Sequence, residues 1–209
     1  MFVRNHRKGH RPDRRGQEGF TLLEFLVGAF LAGIVVMMMG SILASGQRVQ
    51  NRVQEQVELQ RSGNIALQHL TRQISLAGLN LDLRKGEEAF PPLPPGAGGN
   101  WEKALSLRYR SSDGTLQTYS YYLVNGRLME DLGAGRLRPL TEEGIRVRSL
   151  SFRYFTSSNL QLNPANLSQS RWRKQIRRIE IRMELEQTGV SAATPYILET
   201  SVTVPNVNQ

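Results

Sequence analysis

The sequence predicts an α+β protein in which a long N-terminal helix, apolar in its first half and amphipathic in its second, packs on an antiparallel β-sheet. Three observations predict it. Residues 25–44, bounded by Phe25 and Ala44, carry no charge, and about twenty such residues cross a bilayer as a helix at roughly 1.5 Å each. Between Gln47 and Gly78 no proline intervenes and apolar residues recur at helical spacing. After Asn100 they recur at every second position, as in strands with one buried face.

The charges at the head of the apolar run orient it. Arg4, Arg7, Lys8, Arg11, Arg14 and Arg15 precede it, opposed by Asp13 and Glu18. Under the positive-inside rule this leader stays in the cytoplasm and the remainder is exported. Glu24 is the lone charge in the apolar segment. An ionised acid at a membrane-helix centre costs roughly 2.5–3.5 kcal/mol, less near the end, so Glu24 calls for a partner. Cleavage before Phe20 supplies one, an α-amine four residues from Glu24 and on the same helical face. Both groups then lie in the first turn, where the helix dipole favours the carboxylate. An ordinary secretory signal is one alternative, with a core of about 7–15 residues cut at a small-residue site, for which Ala44-Ser45-Gly46 qualifies. An uncleaved anchor, with Glu24 reaching the headgroups, is the other.

The residues Gly19-Phe20-Thr21-Leu22-Leu23-Glu24, set between a basic leader and an apolar helix, resemble the processing site of type IV prepilins, the class III signal peptides. The resemblance implies that prepilin peptidase cuts after Gly19 and that Phe20 is N-methylated. It also implies that Glu24 pairs with the amine of a neighbouring subunit and sets the axial register of assembly. Many major pilins carry a proline near the middle of this helix, where this chain has Gly40-Ser41. Gly28 with Ala32, and Ala29 with Gly33, give the small-xxx-small spacing that permits close helix approach.

The amphipathic half carries Val49, Val53 and Val57 at four-residue intervals, then Leu67, Leu70, Ile74 and Ala77, with Glu55, Glu58, Arg61 and Arg72 outward. The upper stripe is expected to lie on a sheet. Gly63 marks a possible kink and Gly78 a C-terminal stop. Residues 86–100 hold Pro91-Pro92-Leu93-Pro94-Pro95 and Gly96, Gly98 and Gly99, which end any helix. They read equally as a loop at a subunit contact or as a semi-rigid spacer.

The strands follow. Leu105, Leu107 and Tyr109 alternate with polar residues, Tyr119, Tyr121 and Leu123 come next, and Asn125-Gly126 is a two-residue hairpin signal leading to Leu128. In residues 145–155 the apolar phase switches between Val147 and Leu150, which predicts a bulge. Ile179, Ile181, Met183 and Leu185 alternate with charges, and residues 196–204 form the last strand. The order predicts an antiparallel meander with one face under the helix. With residues 60–80, the Tyr-rich hairpin, the Ser149–Phe155 stretch and residues 179–185, the chain resembles PilW-type minor pilins, and J-type minor pseudopilins of type II secretion share that order of elements. The Pro-rich loop and the Tyr-rich hairpin favour the pilus side.

The expected divisions are a leader at 1–19, the membrane and assembly half of the helix at 20–46, its amphipathic half at 47–80, a Pro/Gly loop at 81–100 and the sheet domain at 101–209. The resemblance implies a pilin fold and a minor pilin that joins other minor pilins in priming assembly of the major pilin, with capping as an added role. Its implied partners are prepilin peptidase, those pilins, the inner-membrane assembly platform and membrane lipid. Its implied location is the bacterial inner membrane, N-terminus inside and domain in the periplasm, then the surface pilus. The alternatives are a type II secretion pseudopilin and a membrane-anchored DNA- or anion-binding protein for uptake.

The leader holds six of the 27 basic and two of the 18 acidic residues, so its removal takes four of the nine net positive charges. The remainder is concentrated at Arg171, Arg173, Lys174, Arg177 and Arg178, with Trp172 among them. Such a cluster can grip phosphate beside a stacking ring, meet an acidic partner, or be a solvated strand start; nucleic acid is the disfavoured reading. His6 and His10 lie in the leader and His69 stands alone on the helix, where a surface role is expected. Glu87-Glu88 and Glu142-Glu143 are expected to be solvated pairs. No nucleophile–base set, metal-spaced cluster or phosphate-binding loop appears, so no catalytic residue, metal or cofactor is assigned. The chain has no cysteine, which removes disulfides and thiolate ligands.

Overall fold

The computed structural model describes residues 21–82, 85–133, 136–188 and 195–206, with the side chains of residues 48, 51 and 52 also left aside. The leader, Gly19 and Phe20 lie outside the described residues. The protein is α+β, as expected, and divides into two units, Met1–Gln50 and Asn51–Gln209. The long helix α1, Leu22–Leu76, contributes to both.

In the first unit, Leu22–Gln47 is a stretch of helix long and apolar enough to cross a membrane, with none of it buried within the protein. Its hydroxyls are satisfied along the helix. Ser41 donates to Met38 O at 2.9 Å and Ser45 to Ser41 O at 2.7 Å, which suits a solvent without hydrogen-bonding partners.

In the second unit, α1 buries Leu59, Ala66, Leu67, Leu70, Ile74 and Ala77, so the predicted upper stripe lies against the sheets. The valines do not. Val53 and Val57 are both 55% exposed, because a four-residue interval advances about 40° around a helix at each step and leaves the buried face. The helix runs unbroken through Gly63. This glycine lets α1 approach the sheet so closely that a Cβ there would come within 2.3 Å of Leu198 Cδ1 and 2.5 Å of Leu185 Cδ1. Gly78, at φ +83°, ends the helical segment and donates its N–H to Arg108 O at 2.9 Å, a conformation that glycine adopts without penalty.

Two four-stranded antiparallel sheets replace the single meander. The first is a meander, β1 (Leu105–Arg110), β2 (Leu116–Val124), β3 (Arg127–Asp131) and β4 (Leu137–Pro139), in that order. The second has the order β6 (Gln161–Leu162), β5 (Ile145–Phe155), β7 (Arg178–Gln187) and β8 (Tyr196–Thr203). A short helix, α2 (Ser170–Arg173), precedes β7. The β2–β3 turn has Asn125 and Gly126 at φ 52° and 75°, both left-handed as a type I′ hairpin requires. The expected bulge in β5 falls between Val147 and Ser149. The sheets meet where Val147 donates to Gly126 O and Phe152 to Glu102 O, both at 2.7 Å.

The Pro/Gly segment is tied down rather than free. Phe90 and Trp101 are buried at its two ends, and Tyr154 donates from its hydroxyl to Trp101 O and Ala104 O at 2.9 and 3.0 Å. Between them, Gly96 lies so near the Tyr122 hydroxyl that a Cβ would approach it to 3.1 Å.

Candidate functional site

The sequence places the functional weight on the start of α1. There Thr21 and Glu24 form a capping box: Glu24 N–H donates to Thr21 Oγ1, and Thr21 N–H and Oγ1–H donate to Glu24 Oε2, each at 3.3 Å. The Thr-x-x-Glu spacing satisfies two helix-end donors reciprocally. That spacing is legible in the sequence and adds a role for Glu24 that charge reasoning passed over. Both bonds to the carboxylate use Oε2, so among the described residues Oε1 is open to another donor. On the apolar stretch nothing lies within 4 Å of where a Cβ would stand on Gly28, Gly33 or Gly40, so these positions are open to close approach.

The basic segment does not act as one patch. Arg173 is 5% exposed and holds Glu88 at 2.8 Å while donating to Phe90 O, Leu167 O and Ser168 O. Four acceptors around one guanidinium tie α2 to the segment after α1. Arg178 lies over the Phe155 ring at 4.1 Å and donates to Glu180 and Asn159. Arg177 turns back to Lys174 O and Ile176 O. Arg171 stacks on the half-buried Trp172 at 5.5 Å, and Arg171 and Lys174 stay exposed. Glu88 is not a solvated acid: burial would raise its pKa, but hydrogen bonds from Ser170 and Arg173 and the charges of Arg173 and Lys174 hold it below the ordinary glutamate range. Glu87 is likewise paired, with Arg110, whereas Glu142 and Glu143 are exposed.

A polar cluster that sequence reasoning missed joins α1 to the first sheet. Glu130 on β3 has a fully buried side chain. Its Oε1 accepts from Tyr121 Oη at 2.8 Å and lies 2.7 Å from His69 Nε2, which donates if the carboxylate is ionised. Its Oε2 faces Arg138 Nη2 at 2.5 Å, an ion-pair contact without directed hydrogen-bond geometry. His69 is thus a structural partner rather than a surface residue. Burial, then the Glu130 charge, pushes the Tyr121 hydroxyl far above its ordinary pKa and keeps it a donor. The only sequence signal was that Glu130 falls on the inward phase of its strand, opposite Tyr121.

Among the described residues no group of three or more His, Cys, Asp or Glu could hold a metal ion. No protein-family model matches the chain, and no curated protein matches it.

Proposed function

We propose that the chain is a minor pilin-like subunit with the pilin fold, trimmed after Gly19, which enters a filament through α1 and helps to prime its assembly. The observation that carries this reading is the start of α1, where Glu24 stands in the first turn of a membrane-length helix directly after Gly19-Phe20. The capping box supports it. With Oε2 given to Thr21, the carboxylate is held at the helix end and Oε1 remains for the amine of an adjacent subunit. An amine and a carboxylate in apolar surroundings gain most from each other when both are otherwise unpaired. The second unit then supplies the surface by which this subunit differs from others. The division of the basic segment, with Arg173 and Arg178 committed within the fold, favours protein assembly over a nucleic-acid grip.

The test is replacement of Glu24 by alanine in the native host, with recovery of the chain from sheared filaments measured against its membrane level. The reading expects normal membrane levels and loss from filaments. Undiminished filament recovery would overturn it.

A further inference from the structure

The free edge of β8 is unlike every other sheet margin among the described residues. The outer side of β1 is covered, since Arg108 N–H donates to Ala89 O at 2.7 Å and Arg110 N–H to Leu79 O at 2.9 Å. The margin of β5 is met by β6 and by the contacts that join the sheets. β4 has three residues and ends on Pro139, and both features blunt an edge. β8 instead runs through eight residues in unbroken register with β7, without proline, lysine or bulge.

The direction of its backbone follows from one bond. Val204 N–H donates to Arg177 O at 2.7 Å, and in an antiparallel pair such partners recur at alternate residues. Leu198, Thr200 and Val202 therefore face β7. The N–H and C=O groups of Ile197, Glu199, Ser201 and Thr203 point away, and among the described residues nothing pairs with them. Beside this edge runs an open groove of about 610 Å³, walled by Asn64, Gln68 and Thr71 of α1 and by Leu198, Glu199 and Thr200 of β8. The helical wall is able to hydrogen-bond and carries one charge, Arg72, on the helix side of the groove.

We propose that β8 receives an extended segment of a different polypeptide as a fifth strand, with a basic side chain opposite Glu199 and an apolar one opposite Ile197. Charge selects this occupant. The outer face of the sheet pairs unlike charges across its strands, Arg153 with Glu180 at 3.0 Å and Arg182 with Glu199 at 2.9 Å. At β8 the row ends on the Glu199 carboxylate, 53% exposed, so lysine or arginine is the complementary neighbour. Ile197, 47% exposed, offers apolar area on the same face. A second copy of β8 would bring no basic residue to Glu199, because residues 196–203 contain none. This inference does not rest on the filament reading.

The test titrates the full chain in detergent micelles with the capped octapeptide Thr-Val-Thr-Lys-Thr-Val-Thr-Val and with its glutamate counterpart. Site-resolved amide exchange is the readout. The lysine peptide is expected to slow exchange at Ile197, Glu199, Ser201 and Thr203 and to bind about fivefold tighter than the glutamate peptide. Glu199→Lys reverses that order. Ser201→Pro removes an outward N–H without breaking the β7 ladder and is expected to weaken binding at least about tenfold. If that variant does not fold, the charge reversal alone decides. Unchanged exchange at these four amides, or a peptide preference indifferent to Glu199→Lys, overturns the proposal. So does a peptide-free dimer that Ser201→Pro dissolves, which would make the occupant a second copy.

Discussion

His69 on α1 and Glu130 on β3 meet at 2.7 Å across 61 residues of sequence, and the carboxylate between them is closed off from water. Its cation is Arg138, 55% exposed on the three-residue strand β4. Removing one partner of a buried charge costs far more than a surface pair is worth, about 3–5 kcal/mol against about 0–1. Arg138→Ala is therefore expected to lower stability by a core-sized amount although the arginine lies at the surface. Urea unfolding of Arg138→Ala beside Arg148→Ala, an exposed arginine on β5, checks it.

Gly63 sets the approach of α1 to the second sheet. Alanine there gains about 1 kcal/mol of helix propensity, and the leucine methyls it meets are the mobile ends of their side chains. Gly63→Ala is expected to be close to neutral. Gly63→Leu has no such escape and is expected to cost about 1–3 kcal/mol or more as overpacking. Thermal unfolding of the two variants separates these outcomes.

The basic segment divides by role. Arg173→Ala leaves Glu88 half-buried beside three carbonyls without their donor, at roughly 1–3 kcal/mol for each buried group left unpaired. Arg171→Ala removes an exposed side chain and is expected to stay within about 0.5 kcal/mol. Parallel denaturant titrations of both variants compare them.

Glu88 also gives the fold an acid dependence of known sign. Its pKa is lowered in the folded protein, so its contribution is full above the unfolded glutamate value of about 4.3 and is lost as pH falls through the lower folded value. The stability difference between the protein and Glu88→Gln is expected to be largest at neutral pH and to shrink toward pH 3. Urea midpoints across that range measure it.

Periodicity made most of the fold legible. The strands at Leu105, Ile145, Ile179 and Tyr196, the Asn125-Gly126 turn and the β5 bulge all follow from alternation and turn chemistry, which are local. β4 and β6 are three and two residues long, too short to show a period, so the split into two sheets was not visible. The exposed Val53 and Val57 show the converse: a regular interval marks a buried face only when it matches the 3.6-residue turn. Arg173 and Glu130 escaped for a third reason. Glu88, which pairs with Arg173, and His69, which meets Glu130, lie 85 and 61 residues away in sequence, and a charge looks the same in a string whether it is solvated or caged.

The central claim concerns the start of α1, and the mass of the N-terminal peptide tests it most directly. The chain recovered from membranes and from sheared filaments of its host is digested and its terminal fragment sequenced by mass spectrometry. The account predicts a mature chain beginning at Phe20, with a methyl group on its amine. A terminus after Gly46, or an intact leader in the filament fraction, would contradict it.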